Sequence, residues 1–409
     1  MSEQGTLKTL FQQEFTKMVA VISSRFGLQH IELAEDIVSE TFLVAAETWG
    51  MKGMPPNPTA WLYAVARQKA LYHLRRNKIL EEKVIPEVIV RQDIDYRLTE
   101  ADFTFQNIRD SQLQMMFAVC DPVIASEAQI GLALRILCGF GIDEIAEAFL
   151  SNKETINKRL FRAKEKLREA GIRLELPPEV ALERRLDNVL HIIYLLFSEG
   201  YYSKTQNELL RKDLCLEAMR LCISLTEYEK TNVPKTNALL ALMCFHASRF
   251  NARQAGDGLH ILYHEQNEDL WDAELVNRGI HFLDISAEGN EVTTYHLEAR
   301  IAYWHCRKED TREKWQEILQ LYNQLLHINF SPSVFLNRIY ALYKVKGREA
   351  ALAETQKITL ENNHFYFVLL AELYRETDKE AAKLNLRKAL ALARTETEKQ
   401  GILSQLEKL

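Results

Sequence analysis

Two apolar stripes of helical spacing follow one another between Gly141 and Arg168, and this short stretch constrains the fold most strongly. The first stripe consists of Ile142, Ile145, Ala146 and Phe149, and the second of Ile156, Leu160, Ala163 and Leu167. This spacing predicts two amphipathic helices, joined by a tight turn at residues 150–152. Ser151 and Glu154 fit the S-x-x-E capping box, which predicts that the second helix starts there.

The second predicted helix has a basic solvent side. Its cations are Lys153, Lys158, Arg159, Arg162, Lys164, Lys166 and Arg168, against Glu154 and Glu165. Two short helices joined by a tight turn can place the N-terminus of the second against base edges in the DNA major groove. A basic amphipathic helix also occurs as an ordinary solvated surface, in which Lys164 and Lys166 would serve only solubility. The short first helix, the tight turn and the confined charge favour DNA reading.

The rest of the chain follows the same helical pattern. Its 409 residues suffice for two or three domains, and they include only 15 glycines and 9 prolines. Apolar residues recur at helical spacing nearly throughout, with predicted helices at residues 7–26, 31–49 and 60–77 near the N-terminus. No run of residues alternates as a β-strand requires. The sequence therefore predicts an all-α fold.

The net charge of −6 hides a local asymmetry. Residues 63–78 contain five basic side chains and no acidic one, and residues 153–168 are strongly basic. Between them, residues 81–110 are rich in Asp and Glu. Because local patches rather than total charge control phosphate binding, two basic patches separated by an acidic tether predict two DNA contacts on one chain.

The helix predicted at residues 60–77 combines aromatic, amide and basic side chains. Those that can project outward are Gln68, Lys69, Tyr72, His73, Arg75 and Arg76. Aromatic rings can stack on unpaired bases, worth about 1–3 kcal/mol each, while cations hold phosphates. Trp61 and Tyr63 can instead be core residues, and for Trp61 that interpretation is favoured. Upstream, Asp36, Glu40 and Glu47 share a helix face, which is either a docking stripe or a solvated surface.

The C-terminal half is predicted to be a helical array. Residues 341–351 align without gaps with residues 372–382, an offset of 31 residues, close to the tetratricopeptide period of about 34. Residues 182–325 are helical but less regular, which indicates a diverged array. Arrays of this kind bind proteins or peptides on a concave face, so such a partner is expected. Pro177-Pro178 marks the boundary before the array, since a helix cannot continue through it.

Other classes of protein find little support in the sequence. Histidines are plentiful in the array, among them His246, His260, His264, His281, His296 and His305, and Glu199 lies there too, but no H-E-x-x-H, nucleophile elbow or phosphate loop occurs, so no enzyme and no cofactor is predicted. The six cysteines form no C-x-x-C, which favours buried reduced thiols over a metal site. No signal peptide or membrane-length apolar run occurs, and a cytoplasmic protein is expected.

The order of the motifs resembles a known family. An acidic A-E-D-x-V-x-E-T-F helix at residues 34–42 precedes a P-x-x-W-L-x-x-x-A-R helix at residues 58–67, which continues to Arg75-Arg76. The acidic linker follows, and then I-x-E-I-A-E-A-F and R-L-x-R-A-K within residues 142–164. Jointly they resemble bacterial sigma-70-family RNA polymerase sigma factors of the extracytoplasmic-function type. C-terminal runs such as residues 194–201 are similar to the subgroup with a long tetratricopeptide-like helical extension.

The resemblance implies four segments. Residues 1–80 would be sigma region 2, which binds core polymerase and the −10 promoter element, and residues 81–110 an acidic linker. Residues 111–176 would be sigma region 4, a helix-turn-helix that reads the −35 element. Residues 180–409 would be a regulatory helical-repeat extension.

The resemblance also implies roles for particular residues. Polymerase binding falls to Asp36, Ser39 and Glu40. The loop at residues 53–59 and the following helix would contact the −10 element. The contacting residues would be Asn57, Arg67, Gln68, Tyr72, Arg75 and Arg76. Contacts with the −35 element fall to Lys153, Thr155, Asn157, Lys158, Arg159 and Arg162. The chain departs from the family where Gln68 replaces a frequent Asn and Tyr72 a short polar residue. Gly141 replaces a capping Ser or Thr, at a cost of about 1 kcal/mol or less.

These expectations describe an alternative sigma factor that binds core RNA polymerase and promoter DNA, initiates transcription of a specific regulon and is controlled by its own helical extension. The rival interpretation is a free-standing helix-turn-helix activator with a repeat-type sensory domain. Such an activator would need neither the helix at residues 61–76 nor the acidic docking helix, and both features therefore favour the sigma factor.

Overall fold

The computed structural model is built from α-helices. It describes residues 3–84, 104–149, 151–202, 211–253, 266–357, 360–393 and 395–409, and no strand occurs in these ranges, which confirms the all-α prediction. The chain divides into two compact units, Met1–Ile192 and Ile193–Leu409.

Three long helices form the N-terminal bundle: α1 (Glu3–Phe26), α2 (Ile31–Lys52) and α3 (Pro58–Val84). Each predicted helix in this stretch lies within an observed one. Met18, Ile22 and Ile37 are completely buried between the helices. Positive φ angles of 85° at Gly27 and 79° at Gly53 end α1 and α2, a conformation that suits glycine because it has no Cβ.

The basic bundle follows, and consists of α4 (Phe105–Val119), α5 (Ser126–Leu132), α6 (Ile142–Ala148) and α7 (Lys153–Glu169). A π-helical turn at Ala133–Leu137 continues directly from α5. Most of the predicted acidic linker, residues 85–103, lies outside the described residues, and its last part forms the start of α4.

The second apolar stripe is buried in α7 as the sequence predicts, but the residue that caps the start of this helix differs from the prediction. Ile156, Leu160, Ala163 and Leu167 are all buried, which confirms the stripe. The predicted Ser151 cap is wrong, because Asn152 holds the extended conformation before the helix and its Oδ1 accepts from the Thr155 N–H at 2.8 Å. Glu154 pairs with Lys158 at 2.7 Å instead of completing a capping box. At the start of α6, the Gly141 N–H donates to the Glu144 carboxylate at 2.6 Å, so this end has a polar partner without a Ser or Thr.

Helix α8 (Glu179–Tyr202) begins in the first unit. Its Arg185 pairs with Asp121 at 2.6 Å and donates to the Phe117 carbonyl at 2.6 Å. Asn188 donates to the carbonyl of Cys120. Arg185 and Asn188 thus contact the basic bundle, whereas the domain limits predicted from the sequence place them in the extension at residues 180–409; those limits stay a prediction.

The second unit contains the end of α8 and eleven further helices among its described residues. They are α9 (Lys212–Thr226), α10 (Pro234–Ala247), α11 (Phe250–Arg253), α12 (Ala273–Ser286), α13 (Thr294–His305), α14 (Arg312–Ile328), α15 (Pro332–Lys346), α16 (Arg348–Thr355), α17 (His364–Tyr374), α18 (Lys379–Leu392) and α19 (Glu396–Glu407). Helices that are close in sequence pack together, as α13 on α14, α14 on α15 and α17 on α18. Both aligned segments, 341–351 and 372–382, cross a turn between two helices.

Close helix packing in this unit depends on glycine. An added Cβ at Gly279 of α12 would lie 2.5 Å from Cε1 of Phe245, a fully buried residue of α10. At Gly200 of α8 it would lie 2.8 Å from the Arg211 carbonyl oxygen and 2.8 Å from Cys215 Sγ. The backbones approach at both positions only because no side chain intervenes.

Candidate nucleic-acid interface

The solvent face of α7 carries most of the residues predicted to read the −35 element. Lys153, Thr155, Asn157, Lys158 and Arg162 are exposed, while Arg159 is half-buried. The buried stripe on the opposite side fixes the helix against α5 and α6. The sequence thus builds a rigid helix whose first turns present amide, hydroxyl and cationic groups to solvent.

Several of these cations already have intramolecular partners. Lys153 Nζ lies 2.5 Å from Asp143 of α6, and Arg159 lies 3.2 Å from the exposed Glu127 of α5. The Arg159 guanidinium is also 5.5 Å from the centroid of the Phe149 ring. Exposed pairs of this kind contribute about 1 kcal/mol or less, so phosphates can replace the carboxylates at little cost.

A shallow groove of about 410 Å³ runs between α5 and α7. Its apolar floor is formed by Ile124, Ala125, Ala128 and Ala163, and its polar rim by Thr155, Lys158, Arg159, Arg162 and Lys166. Lys158, Arg162 and Lys166 stand four residues apart and therefore lie along one side of the helix. A line of cations beside an open groove suits a polyanion such as a DNA strand.

In α3, two of the predicted −10 residues form a common surface. Gln68 and Tyr72 are one helical turn apart and exposed, with 63% of Tyr72 accessible. The planes of the Tyr72 and His73 rings are nearly perpendicular, with their centroids 6.0 Å apart. Arg67 is half-buried, and the side chains of Arg75 and Arg76 lie outside the described residues.

Two aromatic residues at the start of α3 pack against other helices of the bundle, with Tyr63 buried and Trp61 half-buried. Trp61 stands edge-on to the buried Trp49 at 5.4 Å. The Tyr63 hydroxyl donates to Glu14 of α1 at 2.9 Å, and burial raises the pKa of this tyrosine. The Tyr63 ring is therefore not accessible to bases.

Asn57 has a local structural role that the sequence did not reveal. Its Oδ1 accepts from the Ala60 N–H at 3.0 Å, so it caps α3 while Pro58 occupies the first helical position. The residue is exposed and lies within the predicted −10 loop, directly before α3.

The predicted polymerase-binding residues lie on α2. Asp36, Ser39 and Glu40 are exposed, and the Ser39 hydroxyl donates to the carbonyl of its own helix at Glu35. Glu40 accepts from Lys69 of α3 at 2.7 Å, and this hydrogen bond lowers the pKa of the Glu40 carboxyl. Glu40 is therefore held in place by the neighbouring helix.

Sequence reasoning missed one cluster of charges in the first unit. Lys164, which could be taken for a solubilising charge, lies 3.1 Å from Glu35 of α2 and 3.5 Å from Glu32. Arg135 approaches the same Glu35 carboxylate at 2.9 Å. Arg135 and Lys164 are each about a hundred residues or more from Glu35 in the chain. Glu35 and Lys164 lie on helices with several similar charges, and Arg135 is the single charged residue between Glu127 and Asp143.

Three of the histidines considered as enzymatic candidates, His246, His296 and His305, are packed among neighbouring helices, whereas His281 is exposed. Burial lowers the pKa of His246 well below its usual range and that of His305 to about 3. His296 Nδ1 accepts from the Thr293 N–H at 3.1 Å at the start of α13. His260 and His264 lie outside the described residues.

None of the six cysteines forms a disulfide, and four of them are buried. Burial raises the pKa of Cys120, Cys215 and Cys244 to about 12. Within the described ranges, no three His, Cys, Asp or Glu side chains are grouped to hold a metal ion. No helix there has the length and apolar character needed to cross a membrane.

Comparisons with known proteins agree with the geometry of the first unit. Residues 11–79, which cover most of the N-terminal bundle, match sigma-70 region 2. Residues 185–287 match a family of unknown function, DUF6596. The chain is 33% identical over 387 residues to the uncharacterized protein R00370 of Rhizobium meliloti (strain 1021), across 93% of this chain and 91% of that protein. No solved structure matches the chain significantly.

The chain belongs to the same family as this rhizobial protein, and the sigma-70 region 2 match near its N-terminus supports a sigma-70 family factor. Factors of this family act in transcription initiation without being enzymes. Region 2 implies that core RNA polymerase and promoter DNA are the partners.

Proposed function

We propose that the protein is an alternative sigma factor of the extracytoplasmic-function type, which directs core RNA polymerase to the promoters of one regulon. The observation that carries the proposal is the region 2 match on residues 11–79, followed along the chain by a helix with an exposed cationic face, α7. A free-standing activator would need only the second of these features. Because it must meet the polymerase, the protein is placed in the cytoplasm.

In this proposal α6 and α7 form the helix-turn-helix of region 4. Thr155, Asn157, Lys158 and Arg162 occupy the exposed side of α7 near its N-terminus, which is the end that such motifs place against base edges. Arg159 and Lys153 would exchange their carboxylate partners for DNA phosphates. The groove beside α7 would follow the backbone of one strand.

Region 2 would act on the other promoter element. Tyr72 and Gln68 offer a stacking ring and a hydrogen-bonding amide on one exposed face, as capture of unpaired bases requires. Arg67, Arg75 and Arg76 supply charge for the phosphates, and Asn57 stands at the loop before the helix. Asp36, Ser39 and Glu40 on α2 would bind the polymerase.

Two weak contacts become a selective one when they are mounted on the same polymerase. Each DNA-bound region raises the effective concentration of the other. Unpairing costs on the order of 1.4 kcal/mol per base-pair step, and base capture with stacking can offset that cost locally. The chain would select the promoter and nucleate melting, while the polymerase performs the chemistry.

The second unit would be a tetratricopeptide-like regulatory extension. Its helices pack on neighbours in sequence order, and the two aligned segments both contain a helix–turn–helix crossing. This arrangement supports a repeat-type array that receives a protein or peptide signal.

The test is transcription with purified components. Full-length protein is added to sigma-free bacterial core polymerase on fragmented source genome, and transcript 5′ ends are sequenced. We expect discrete start sites that share paired upstream elements, and fewer starts with Gln68→Ala and Arg162→Ala.

Silence from the full chain, with starts from a chain ending after Ile192, would assign an inhibitory role to the extension. Silence from both chains would favour the free-standing activator.

A further inference from the structure

A buried carboxylate just after α4 is paired with a cation of α8. Asp121 is only 4% exposed. Its Oδ2 lies 2.6 Å from Nη1 of Arg185, and its Oδ1 accepts from the Val123 N–H at 2.8 Å. The other terminal nitrogen of Arg185 donates to the Phe117 carbonyl at 2.6 Å. One guanidinium thus contacts both the last turn of α4 and the loop that follows it, residues 120–125.

A second side chain of α8 holds the same loop. The Nδ2 of Asn188 donates to the Cys120 carbonyl and, at 3.2 Å, to Oε1 of Gln129 on α5. Gln129 is 2% exposed, and its own Nε2 donates to two carbonyls of the loop at 2.9 Å and 2.7 Å. We call the contacts of Arg185 and Asn188 with α4, α5 and their loop the α8 brace.

The loop that contacts α8 also shapes the groove of the candidate nucleic-acid interface. Ile124 and Ala125 of the loop, with Ala128 of α5, form the apolar floor of the groove, and cations of α7 form its rim. Glu127, in the first turn of α5, lies 3.2 Å from Arg159 on that rim. A displacement of the loop would therefore change the floor of the groove and the partner of one of its cations.

Loss of the α8 brace would displace the loop because the polar groups it satisfies are buried. A buried carboxylate that loses its cation keeps the full cost of its desolvation and is stabilised by moving toward water. Removal of Arg185 leaves Asp121 in that state, and removal of Asn188 takes a donor from the buried Gln129. Groups that bind a ligand specifically must be held within about 0.5 Å of their productive positions, so a small shift of the loop is sufficient to weaken reading of DNA.

We propose that Arg185 and Asn188 are positioning residues for reading of the −35 element, although neither of them lines the groove. This inference rests on the proposed function for its ligand, duplex DNA, while the hold on the loop rests on the contacts alone. Both residues follow the boundary that Pro177-Pro178 marks in the sequence, on the helix that continues into the second unit. The DNA-reading part of the chain is then complete only when it includes the first turns of α8.

The experiment uses the full chain and a matched pair of arginines. Arg185→Gln and Asn188→Ala remove contacts of the α8 brace, and the control Arg184→Gln removes the same charge from an exposed neighbouring position. Hydrogen exchange of peptides within residues 120–132 reports on the loop and α5. Each chain is then assembled with sigma-free core polymerase, and its affinity is measured for two duplexes. One carries the −35 element shared by the sequenced start sites, and the other carries the same bases scrambled.

We expect exchange within residues 120–132 to accelerate in Arg185→Gln and Asn188→Ala and to match the wild type in Arg184→Gln. The preference for the intact over the scrambled duplex should fall about tenfold in the two α8 brace variants, which corresponds to about 1.4 kcal/mol. The slope of log affinity against log salt should stay unchanged, because neither residue adds a phosphate contact.

Two further readouts separate positioning from loss of folded protein. A variant that only unfolds more would lower the fraction of active protein in a stoichiometric titration and keep the wild-type preference. Adding Asp121→Asn to Arg185→Gln removes the carboxylate that has lost its cation, and it should restore part of the preference. Asn188→Ala removes no charge, so it tests the proposal if Arg185→Gln fails to fold.

The results separate this inference from the sigma assignment. If exchange within residues 120–132 stays at the wild-type rate in both α8 brace variants, the hold on the loop is refuted and the sigma assignment is unaffected. If exchange accelerates while the preference for the intact element stays, the link to DNA reading is refuted and the sigma assignment stands. If no chain yields start sites, that link is refuted together with the proposed function.

Discussion

Replacing Gly279 with alanine should destabilise the second unit, although alanine is the better helix former. The new Cβ would lie 2.5, 2.7 and 3.0 Å from the ring carbons Cε1, Cδ1 and Cζ of Phe245. That ring is completely buried, and Tyr303 packs against it at a centroid distance of 5.8 Å. The ring therefore has little room to retreat, and α10 and α12 must separate instead.

Two opposing effects set the size of the change. Alanine gains about 1 kcal/mol over glycine within a helix, while overpacking a dense core typically costs about 1–3 kcal/mol. Contacts of 2.5 and 2.7 Å to two ring carbons place this site at the upper end of that range. We expect a net loss of roughly 1–2 kcal/mol in the local free energy of unfolding.

Hydrogen exchange followed by mass spectrometry measures this loss in the full chain, since α10 and α12 form separate peptides. Gly401→Ala is the matched control: it lies within α19, and an added Cβ there meets no atom within 4 Å. Exchange should accelerate in α10 and α12 for Gly279→Ala, and slow slightly in α19 for the control. Unchanged or slower exchange in α12 of Gly279→Ala would refute the packing argument.

Three further predictions concern the cap, the DNA surface and a buried acid. Asn152→Ala should destabilise the start of α7 by about 1 kcal/mol, whereas Ser151→Ala should leave it unchanged. Amide hydrogen exchange in α7 measures both variants, and equal effects would contradict the observed cap. Arg162→Ala should weaken binding to −35 duplex and reduce the slope of log affinity against log salt by about 1, whereas an unchanged slope would remove Arg162 from the interface. Burial raises the pKa of Glu298 from 4.5 to about 7. The folded state therefore holds this proton more tightly than the unfolded state. The free energy of unfolding should fall as pH rises between these two values, by at most about 3 kcal/mol. Denaturation of Glu298→Gln across that window should show a smaller loss; a loss equal to that of the wild type would count against the raised pKa.

Periodicity was a reliable guide to the helices, because burial of one helix face is a local property of the sequence. The stripe through Ile156 and Leu167 is buried in full, and each predicted N-terminal helix lies inside an observed one. The start of α7 was placed one residue too early because Ser151 and Asn152 are both good caps. Only the backbone conformation at Asn152 decides between them.

The contacts of Glu35 with Arg135 and Lys164 could not be predicted from the sequence for a different reason. Glu35 and Lys164 are 129 residues apart, and each lies in a helix with several similar charges. Which of those charges becomes buried depends on how the two bundles pack, and no periodic pattern records that. The exposed faces of α3 and α7, by contrast, follow from the position of the apolar stripe on each helix.

The π turn at Ala133–Leu137 makes this chain sensitive to its length as well as to its chemistry. A π turn closes its hydrogen bonds across five residues instead of four, so deletion of one residue would let the segment rewind as ordinary α-helix. Each residue of an α-helix turns it by about 100°, and Arg135 would rotate away from Glu35 by that angle. A single-codon deletion would thus loosen the bundles while every side chain on α3 and α7 stays unchanged. Insertions and deletions at this one turn would therefore change the contact between the bundles without changing any exposed side chain of α3 or α7.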